Sequence, residues 1–262
     1  LIDSVIDCGI SIMTLLAIRY SLKPPDEEHR FGHGKIEGLI ALLQSAFIAG
    51  GGVTLMLEAL RRFAQPQEIS HHGLAIAVLI VSTVLSYGLV FIQRKALLRA
   101  PSLAVEADST HYMMDIMINM GVIVVLVALF YGAPYWLDTA VAVVIAVYLA
   151  FAVKDIGMKG LNMLLDRELP QEMRDDIIQR ILDHPDVMGL HDLRTNQSGM
   201  RIFISFDVEV YADQSLSEAH EIARSLEITL VEAYPHAEVM IHVDPHDDTD
   251  DIRHRIEGVH DV

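Results

Sequence analysis

The chain has 262 residues, a formal net charge of −17 and a mean hydropathy of +0.36, and 52% of its residues are hydrophobic. This hydropathy is high for a soluble domain, and the acidic balance argues against nucleic acid as a partner, because such binding depends on Lys and Arg. The single cysteine, Cys8, excludes an intramolecular disulfide framework and a zinc site built from several thiolates.

The apolar residues collect into runs long enough to cross a bilayer, which takes about 20 residues of helix. Five such runs cover residues 2–18, 36–60, 73–93, 106–131 and 137–157. The chain does not begin with Met and opens inside an apolar run, so we expect a preceding part that holds one more span. The sequence predicts a polytopic α-helical membrane protein with five visible of six transmembrane helices.

Lys and Arg in the short loops predict how these spans are oriented. They occur after the first, third and fifth spans, whereas the turn after the fourth, "GAPYWLD", has none and carries two aromatic residues. Only Arg61 and Arg62 argue the other way. Because basic loops stay in the cytoplasm, we expect Leu1 near the outer side and the C-terminal half in the cytoplasm.

Charge separates the two halves of the chain. From Asp166 onward there are 23 acidic and 8 basic residues, a net charge of −15, and no further run could span a membrane. We therefore predict a transmembrane domain over residues 1–160 and a cytoplasmic domain over residues 161–246. Residues 247–262 are rich in Asp and His without apolar periodicity, which predicts an acidic flexible tail.

The cytoplasmic half shows the pattern of a small two-layer α+β domain. Residues 170–184 are amphipathic, and "GLHDLRT" and "MRIFISFDVEVY" alternate like strands joined by a hairpin loop at "NQSG". A second helix begins at Ser215, where Glu218 completes a capping box, and "AEVMIHVD" forms the last strand. The predicted order is αββαβ.

Two pairs of ionisable residues lie inside the apolar spans. Asp3 and Asp7 in the first span, and His111 and Asp115 in the fourth, are each spaced i,i+4, which places both members on one helix face. Neither span contains a Lys or Arg in its interior to pair with them, and ionisable groups in a membrane are usually functional. Three carboxylates and one imidazole suit a tetrahedral divalent metal, Zn²⁺ first.

Two further groups of metal-ligand residues lie outside the spans. The loop "DEEHRFGHG" contains Asp26, His29 and His33; a hydrated loop with spare histidines is an equally good interpretation of it. In the cytoplasmic domain, the candidate ligands are His191, Asp207, His220, His242 and Asp244. They are consistent with either a metal site near the last strand or ordinary surface groups of an acidic domain.

The motifs with these residues resemble those of the cation diffusion facilitators. The resemblance rests on "DSVIDCGISIMTLLAIRYSLKPPDEEHRFGHGKIEGLIAL", "EADSTHYMMDIMIN" and "GLHDLRTNQSG" with "IHVDP", and extends to about Pro245. Within this family, the chain resembles the bacterial iron and zinc efflux transporters most strongly. It implies a homodimer in the bacterial cytoplasmic (inner) membrane, with a metallochaperone-like cytoplasmic domain that binds metal and dimerises.

The resemblance also implies roles for individual residues. Asp3, Asp7, His111 and Asp115 match the family's transport site, and Asp26, His29 and His33 match its loop zinc site. His191, Asp207, His220, His242 and Asp244 match a binuclear cytoplasmic site in which Asp244 bridges two ions. Asp207 departs from relatives that have histidine there, although a carboxylate remains a competent zinc ligand. Lys35 and Asp166 match an ion pair that joins the two halves at the dimer interface.

The resulting expectation is a secondary active transporter that exports Zn²⁺, and also Cd²⁺ or Fe²⁺, by proton antiport. Zn²⁺ is expected to serve both as cargo and as a structural or regulatory ion. Uptake instead of export stays open, because the direction of transport depends on the proton gradient and not on the identity of the ligands. Two alternatives from other functional classes also remain open. A metal-sensing or metal-storage membrane protein would not need the four residues in the spans. An intramembrane metalloenzyme would need an open coordination position and a general base, and the sequence has no HExxH-type motif.

Overall fold

A computed structural model describes residues 2–64, 72–134 and 136–246, with side chains described from residue 7 and, after the first gap, from residue 76. The chain separates into two compact units, with the division between Leu164 and Leu165. The division predicted from charge lies four residues earlier. The tail predicted for residues 247–262 lies outside the described residues.

The first unit consists of long helices. They are α1 (Ile2–Ser21), α2 (Ile36–Ala64), α3 (His72–Leu97), α4 (Leu103–Phe130) and α5 (Trp136–Leu164). Within the described residues, four segments are long and apolar enough to cross a membrane: Ile36–Ala64, Ile76–Leu97, Leu103–Phe130 and Trp136–Leu164. The 20-residue helix α1 would be about 30 Å long at 1.5 Å per residue, which also matches a hydrocarbon core.

Small residues bring α2 and α5 into backbone contact at one end. A Cβ atom added to Gly160 would lie 2.7 Å from the carbonyl oxygen of Gly38, and one added to Gly38 would lie 3.0 Å from the carbonyl oxygen of Gly160. Further along the same pair of helices, Ile48 of α2 packs with Met114 of α4 and Leu149 of α5. These contacts join α2, α4 and α5 into a closely packed helical unit.

The second unit is the predicted αββαβ domain. Its elements are α6 (Gln171–Leu182), β1 (Gly189–Ser198), β2 (Arg201–Val210), α7 (Leu216–Ala233) and β3 (Ala237–Pro245). The sheet order is β1-β2-β3, with β1 antiparallel and β3 parallel to β2. The strands extend further into the "NQSG" segment than expected, because the reversal needs only two residues, of which Gly199 has a φ of 61°.

One face of this sheet forms the core, and the other remains polar. Ile204, Phe206 and Val208 of β2 are 0–1% exposed and pack against α6 and α7. Side chains alternate along a strand, so Asp207 and Glu209 lie on the opposite face. The capping box at the start of α7 is present: Ser215 Oγ accepts a hydrogen bond from Glu218 N–H, and the Glu218 carboxylate accepts one from Ser215 N–H.

Candidate metal sites

The membrane-embedded cluster forms where α1 meets α4. His111 Nε2 lies 3.3 Å from Asp7 Oδ1 and 3.7 Å from Asp115 Oδ2. One ligand atom from each of the three residues falls within 4.8 Å of the other two. His111 and Asp115 share a helix face because they are one turn apart on α4, and Asp7 approaches from α1. The structure thus brings together three of the four predicted transport-site residues.

Asp3 is the fourth predicted member. It lies in α1 one turn before Asp7, but its side chain falls outside the described residues. His111 is only 8% exposed, whereas the side chains of Asp7 and Asp115 are 39% and 30% exposed. The cluster is therefore half-buried: its imidazole is shielded from solvent, and its two carboxylates are partly exposed to solvent. Two carboxylates and one imidazole provide three of the ligands that a tetrahedral Zn²⁺ takes.

Asp108 is a buried acid that the sequence reasoning missed. It is 5% exposed and lies one helical turn before His111 on α4. Two glutamine side chains donate hydrogen bonds to its carboxylate: Gln44 Nε2 at 3.3 Å and Gln93 Nε2 at 2.6 Å. The sequence spacing could have indicated its role, because Asp108, His111 and Asp115 follow an i,i+3,i+7 pattern that places all three on one face of α4.

The loop cluster is compact. His33 Nε2 lies 3.2 Å from Asp26 Oδ2, His29 Nδ1 lies 3.4 Å from Asp26 Oδ1, and the two imidazole rings are 4.7 Å apart. The loop folds around Asp26, whose Oδ1 accepts hydrogen bonds from the backbone N–H groups of Glu28 and His29. All three predicted loop ligands therefore lie within reach of one ion.

Two features prepare the loop cluster for a cation. The backbone hydrogen bond from His29 N–H, followed by that from Glu28 and the nearby imidazoles, lowers the pKa of the Asp26 carboxyl, which favours the charged form. His33 is 6% exposed, packs edge-on to the Tyr20 ring at 4.6 Å, and its Nδ1 has no hydrogen-bond partner among the described residues. Asp26 is itself exposed, so an ion would be held between a buried imidazole and an open carboxylate.

The cytoplasmic cluster occupies the polar face of the three-stranded sheet. His191 of β1 lies opposite Asp207 of β2, which lies opposite His242 of β3. His191 Nδ1 lies 3.8 Å from Asp207 Oδ2, and His191 Nε2 lies 3.6 Å from Asp244 Oδ2. His242 Nε2 lies 2.9 Å from Asp244 Oδ1, with 68% of the His242 side chain exposed. Burial raises the pKa of the Asp207 carboxyl.

His220 is the predicted ligand that the structure does not bring to this cluster. It is exposed on α7, two residues before Ile222, which faces the sheet core. Two residues turn a helix by about 200°, so His220 points away from the sheet, and α7 covers the apolar face rather than the polar one. Conversely, Glu209 joins the polar face, with Oε1 3.8 Å from His191 Nε2. The sequence reasoning missed Glu209, although its i,i+2 spacing from Asp207 predicts a shared strand face.

Lys35 and Asp166, the expected ion pair, belong to different units and stay a prediction. Lys35 precedes α2 by one residue. Asp166 follows α5, has a φ of 54° and accepts a hydrogen bond from the Asn196 side chain.

Comparisons with known proteins match both units. Residues 1–165 match the family described as the cation efflux transmembrane domain, and residues 169–246 match the cytoplasmic domain of cation efflux proteins. The chain is 42% identical over 245 residues to a cation-efflux pump, FieF, of Shewanella oneidensis, covering 94% of this chain and 82% of the relative. It is 40% identical over 245 residues to the FieF of Serratia proteamaculans, covering 94% and 81%.

A solved structure, the metal-bound C-terminal domain of the CzcD transporter from Thermotoga maritima, is 28% identical, with a TM-score of 0.30; it covers 31% of this chain and 100% of that domain. The family matches extend over both units, and the identity to full-length relatives is high. The chain therefore belongs to the cation efflux (cation diffusion facilitator) family of metal transporters.

Proposed function

We propose that the chain exports a divalent cation, Zn²⁺ first and also Cd²⁺ or Fe²⁺, across the bacterial inner membrane in exchange for protons. The transport site is Asp3, Asp7, His111 and Asp115. The observation that carries this proposal is the position of His111 Nε2 between carboxylate oxygens of Asp7 and Asp115, at 3.3 and 3.7 Å. The cation-efflux names of the relatives support the same direction of transport.

Charge explains why protons would be exchanged for the ion. Three ionised carboxylates in a low-dielectric setting repel one another, so the cluster needs either a metal ion or protons to offset their charge. Imidazole is the side chain whose protonation changes most readily near neutral pH, which favours His111 as a proton carrier. Alternating access around a site in mid-membrane then moves the ion without covalent chemistry.

The other two clusters have supporting roles in this proposal. The loop cluster of Asp26, His29 and His33 binds a structural or regulatory Zn²⁺. The cytoplasmic cluster binds ions at His191, Asp207, His242 and Asp244, without His220, which lies on the other side of the sheet. Bound cations offset the repulsion between two acidic domains of net negative charge, which supports a homodimer joined through these domains. Lys35 and Asp166 would pair at that dimer interface.

The test is flux of radioactive Zn²⁺ into proteoliposomes containing the full chain under an imposed proton gradient. Asp115→Asn removes one ligand charge with almost no change of volume, and we expect its flux to fall to background. Asp155→Asn is the matched control, because Asp155 is an exposed acid of α5 whose partner, Lys159, also pairs with Glu106. Normal flux in Asp115→Asn would contradict the assigned site.

The same assay separates transport from metal sensing or storage. A sensing or storage protein would bind Zn²⁺ to the loop and cytoplasmic clusters yet move none across the bilayer. Saturable, proton-dependent flux in the unmodified chain would exclude that alternative, and its absence would favour it.

A further inference from the structure

Four helices each supply one polar side chain to a junction next to the transport cluster. Thr14 comes from α1, Gln44 from α2, Gln93 from α3 and Asp108 from α4; we refer to these four residues as the Asp108 junction. Gln44 Nε2 donates to Thr14 Oγ1 at 2.7 Å and to Asp108 Oδ1 at 3.3 Å. Gln93 Nε2 donates to Asp108 Oδ2 at 2.6 Å. The junction thus converges on the Asp108 carboxylate.

Burial makes this junction energetically unusual. Gln44 is 1% exposed, Thr14 4% and Asp108 5%. The buried amide oxygens Oε1 of Gln44 and Gln93 accept no hydrogen bond from any described residue. Leaving a buried polar atom without a partner costs about 1–3 kcal/mol in general. A junction that served only to pack four helices would be more stable with apolar side chains of similar size.

These two amide oxygens, which have no partner among the described residues, point to a ligand. A glutamine presents either its NH₂ group or its oxygen, depending on a half-turn of the terminal amide. With both amides turned, their oxygens would take the places of the nitrogens, which lie 3.3 Å (Gln44) and 2.6 Å (Gln93) from the two Asp108 carboxylate oxygens, and Thr14 Oγ1 lies 2.7 Å from the Gln44 position. Such an all-oxygen set binds divalent cations but holds Zn²⁺ less firmly than a set that contains imidazole.

We propose that Thr14, Gln44, Gln93 and Asp108 form a second cation-binding position, through which the transported ion passes on its way to the Asp7–His111–Asp115 cluster. This inference rests on the proposed function. Asp108 lies one turn from His111 and two turns, roughly 10 Å along the axis, from Asp115. It lies nearer the start of α4, the end that follows Arg94 and Lys95 in the last turn of α3 and Arg99 in the connecting loop. The predicted orientation places that end on the cytoplasmic side.

The difference in ligand chemistry gives the junction its role. A conducting path needs positions that attract an ion strongly enough for entry and weakly enough for release. The Asp108 carboxylate supplies attraction in a buried setting, and its neutral partners limit the strength of binding. The neighbouring cluster adds an imidazole and a second carboxylate, so the ion gains by moving on from the junction.

The test places a soft ligand at the junction and follows Cd²⁺ spectroscopically. In the full chain with Cys8→Ser as background, we expect Asp108→Cys to show the ultraviolet charge-transfer absorption of a Cd²⁺–thiolate bond when Cd²⁺ is added. Gln93→Cys is a second variant with the same expectation, in case Asp108→Cys does not fold. Ser45→Cys is the matched control, because Ser45 is buried on α2 next to Gln44 but packs toward Gly157 of α5.

Zn²⁺ flux into proteoliposomes provides a second, independent measurement of the role of the junction. Asp108→Asn keeps the shape of the side chain, and we expect Zn²⁺ flux to fall about tenfold or more, which corresponds to at least 1.4 kcal/mol of barrier; Asp108→Glu should restore most of it. Absence of the Cd²⁺–thiolate band in both junction variants, or an equal band in Ser45→Cys, would overturn the inference. So would unchanged flux in Asp108→Asn. Failure of the proposed function is distinguishable, because it would appear as absent flux in the unmodified chain or as normal flux in Asp115→Asn.

Discussion

His111 Nε2 lies 3.3 Å from Asp7 Oδ1, although the two residues are 104 positions apart in the chain. Each belongs to a helix that carries its own i,i+4 pair of candidate ligands. Contact between these two helices at this level brings Asp7 to the His111–Asp115 pair.

Changing His111→Asp should alter metal selectivity rather than simply abolish transport. An all-carboxylate site favours metals that prefer oxygen ligands, so Mn²⁺ should gain relative to Zn²⁺. The dependence of flux on pH near neutrality should weaken, because imidazole is removed. A competition flux assay with Zn²⁺, Cd²⁺, Fe²⁺ and Mn²⁺ over a pH series measures both effects. If the two proteins rank the metals identically, ligand chemistry at this position does not set selectivity.

Changing His33→Ala should remove one bound Zn²⁺ per chain while leaving Zn²⁺ flux near normal. His33 is the buried ligand of the loop cluster, and none of the three loop residues belongs to the Asp7–His111–Asp115 cluster. Metal content after equilibrium dialysis, determined by mass spectrometry, gives the number of ions. His236→Ala, at an exposed histidine of the second unit, is the control and should leave the number unchanged. Equal metal content in His33→Ala and the parent would exclude the loop site.

Changing Gly160→Ala should destabilise the transmembrane unit by about 1–3 kcal/mol, as overpacking does. The added Cβ would lie 2.7 Å from the carbonyl oxygen of Gly38 and 3.2 Å from the backbone nitrogen of Leu42, neither of which can move without displacing α2. Gly88→Ala is the control, because a Cβ there meets nothing within 4 Å. In a helix interior that control should be neutral or stabilising. Thermal unfolding in detergent would contradict the packing account if both variants shifted alike.

Changing Glu218→Gln should lower the stability of the cytoplasmic domain in a pH-dependent way. Hydrogen bonds from the Ser215 N–H and hydroxyl lower the pKa of Glu218. The folded pKa is thus below the unfolded one, so the contribution is complete above the usual glutamate pKa of about 4.3 and is lost as the pH falls through the folded pKa. The difference in unfolding temperature between parent and variant should be complete at about pH 6 and should shrink as the pH falls below about 4.3. Glu227→Gln, an exposed acid on the same helix, should show no such pattern.

Much of the architecture was readable from local patterns. Apolar runs identified the helices of the first unit, with ends that differ from the observed ones by up to seven residues, because a bilayer imposes a minimum length on any span. The capping box at Ser215 and Glu218 located the start of α7, since it depends only on residues three apart. Alternation along "MRIFISFDVEVY" separated the core residues of β2 from Asp207 on its polar face. The i,i+4 spacing in α1 and α4 likewise identified Asp7, His111 and Asp115 as candidate ligands.

Relationships between elements depended on the tertiary structure. Periodicity assigns a residue to a face of its own helix or strand, but which neighbour meets that face is decided by packing across the whole unit. For this reason His220 could be expected near Asp207 from sequence, yet α7 covers the opposite side of the sheet. Spacing alone places Asp108 on the same face of α4 as His111 and Asp115, but it does not say which side chains surround its carboxylate. Only the convergence of α1, α2 and α3 on it, with Gln44 and Gln93 at hydrogen-bonding distance, shows that it is buried and shared.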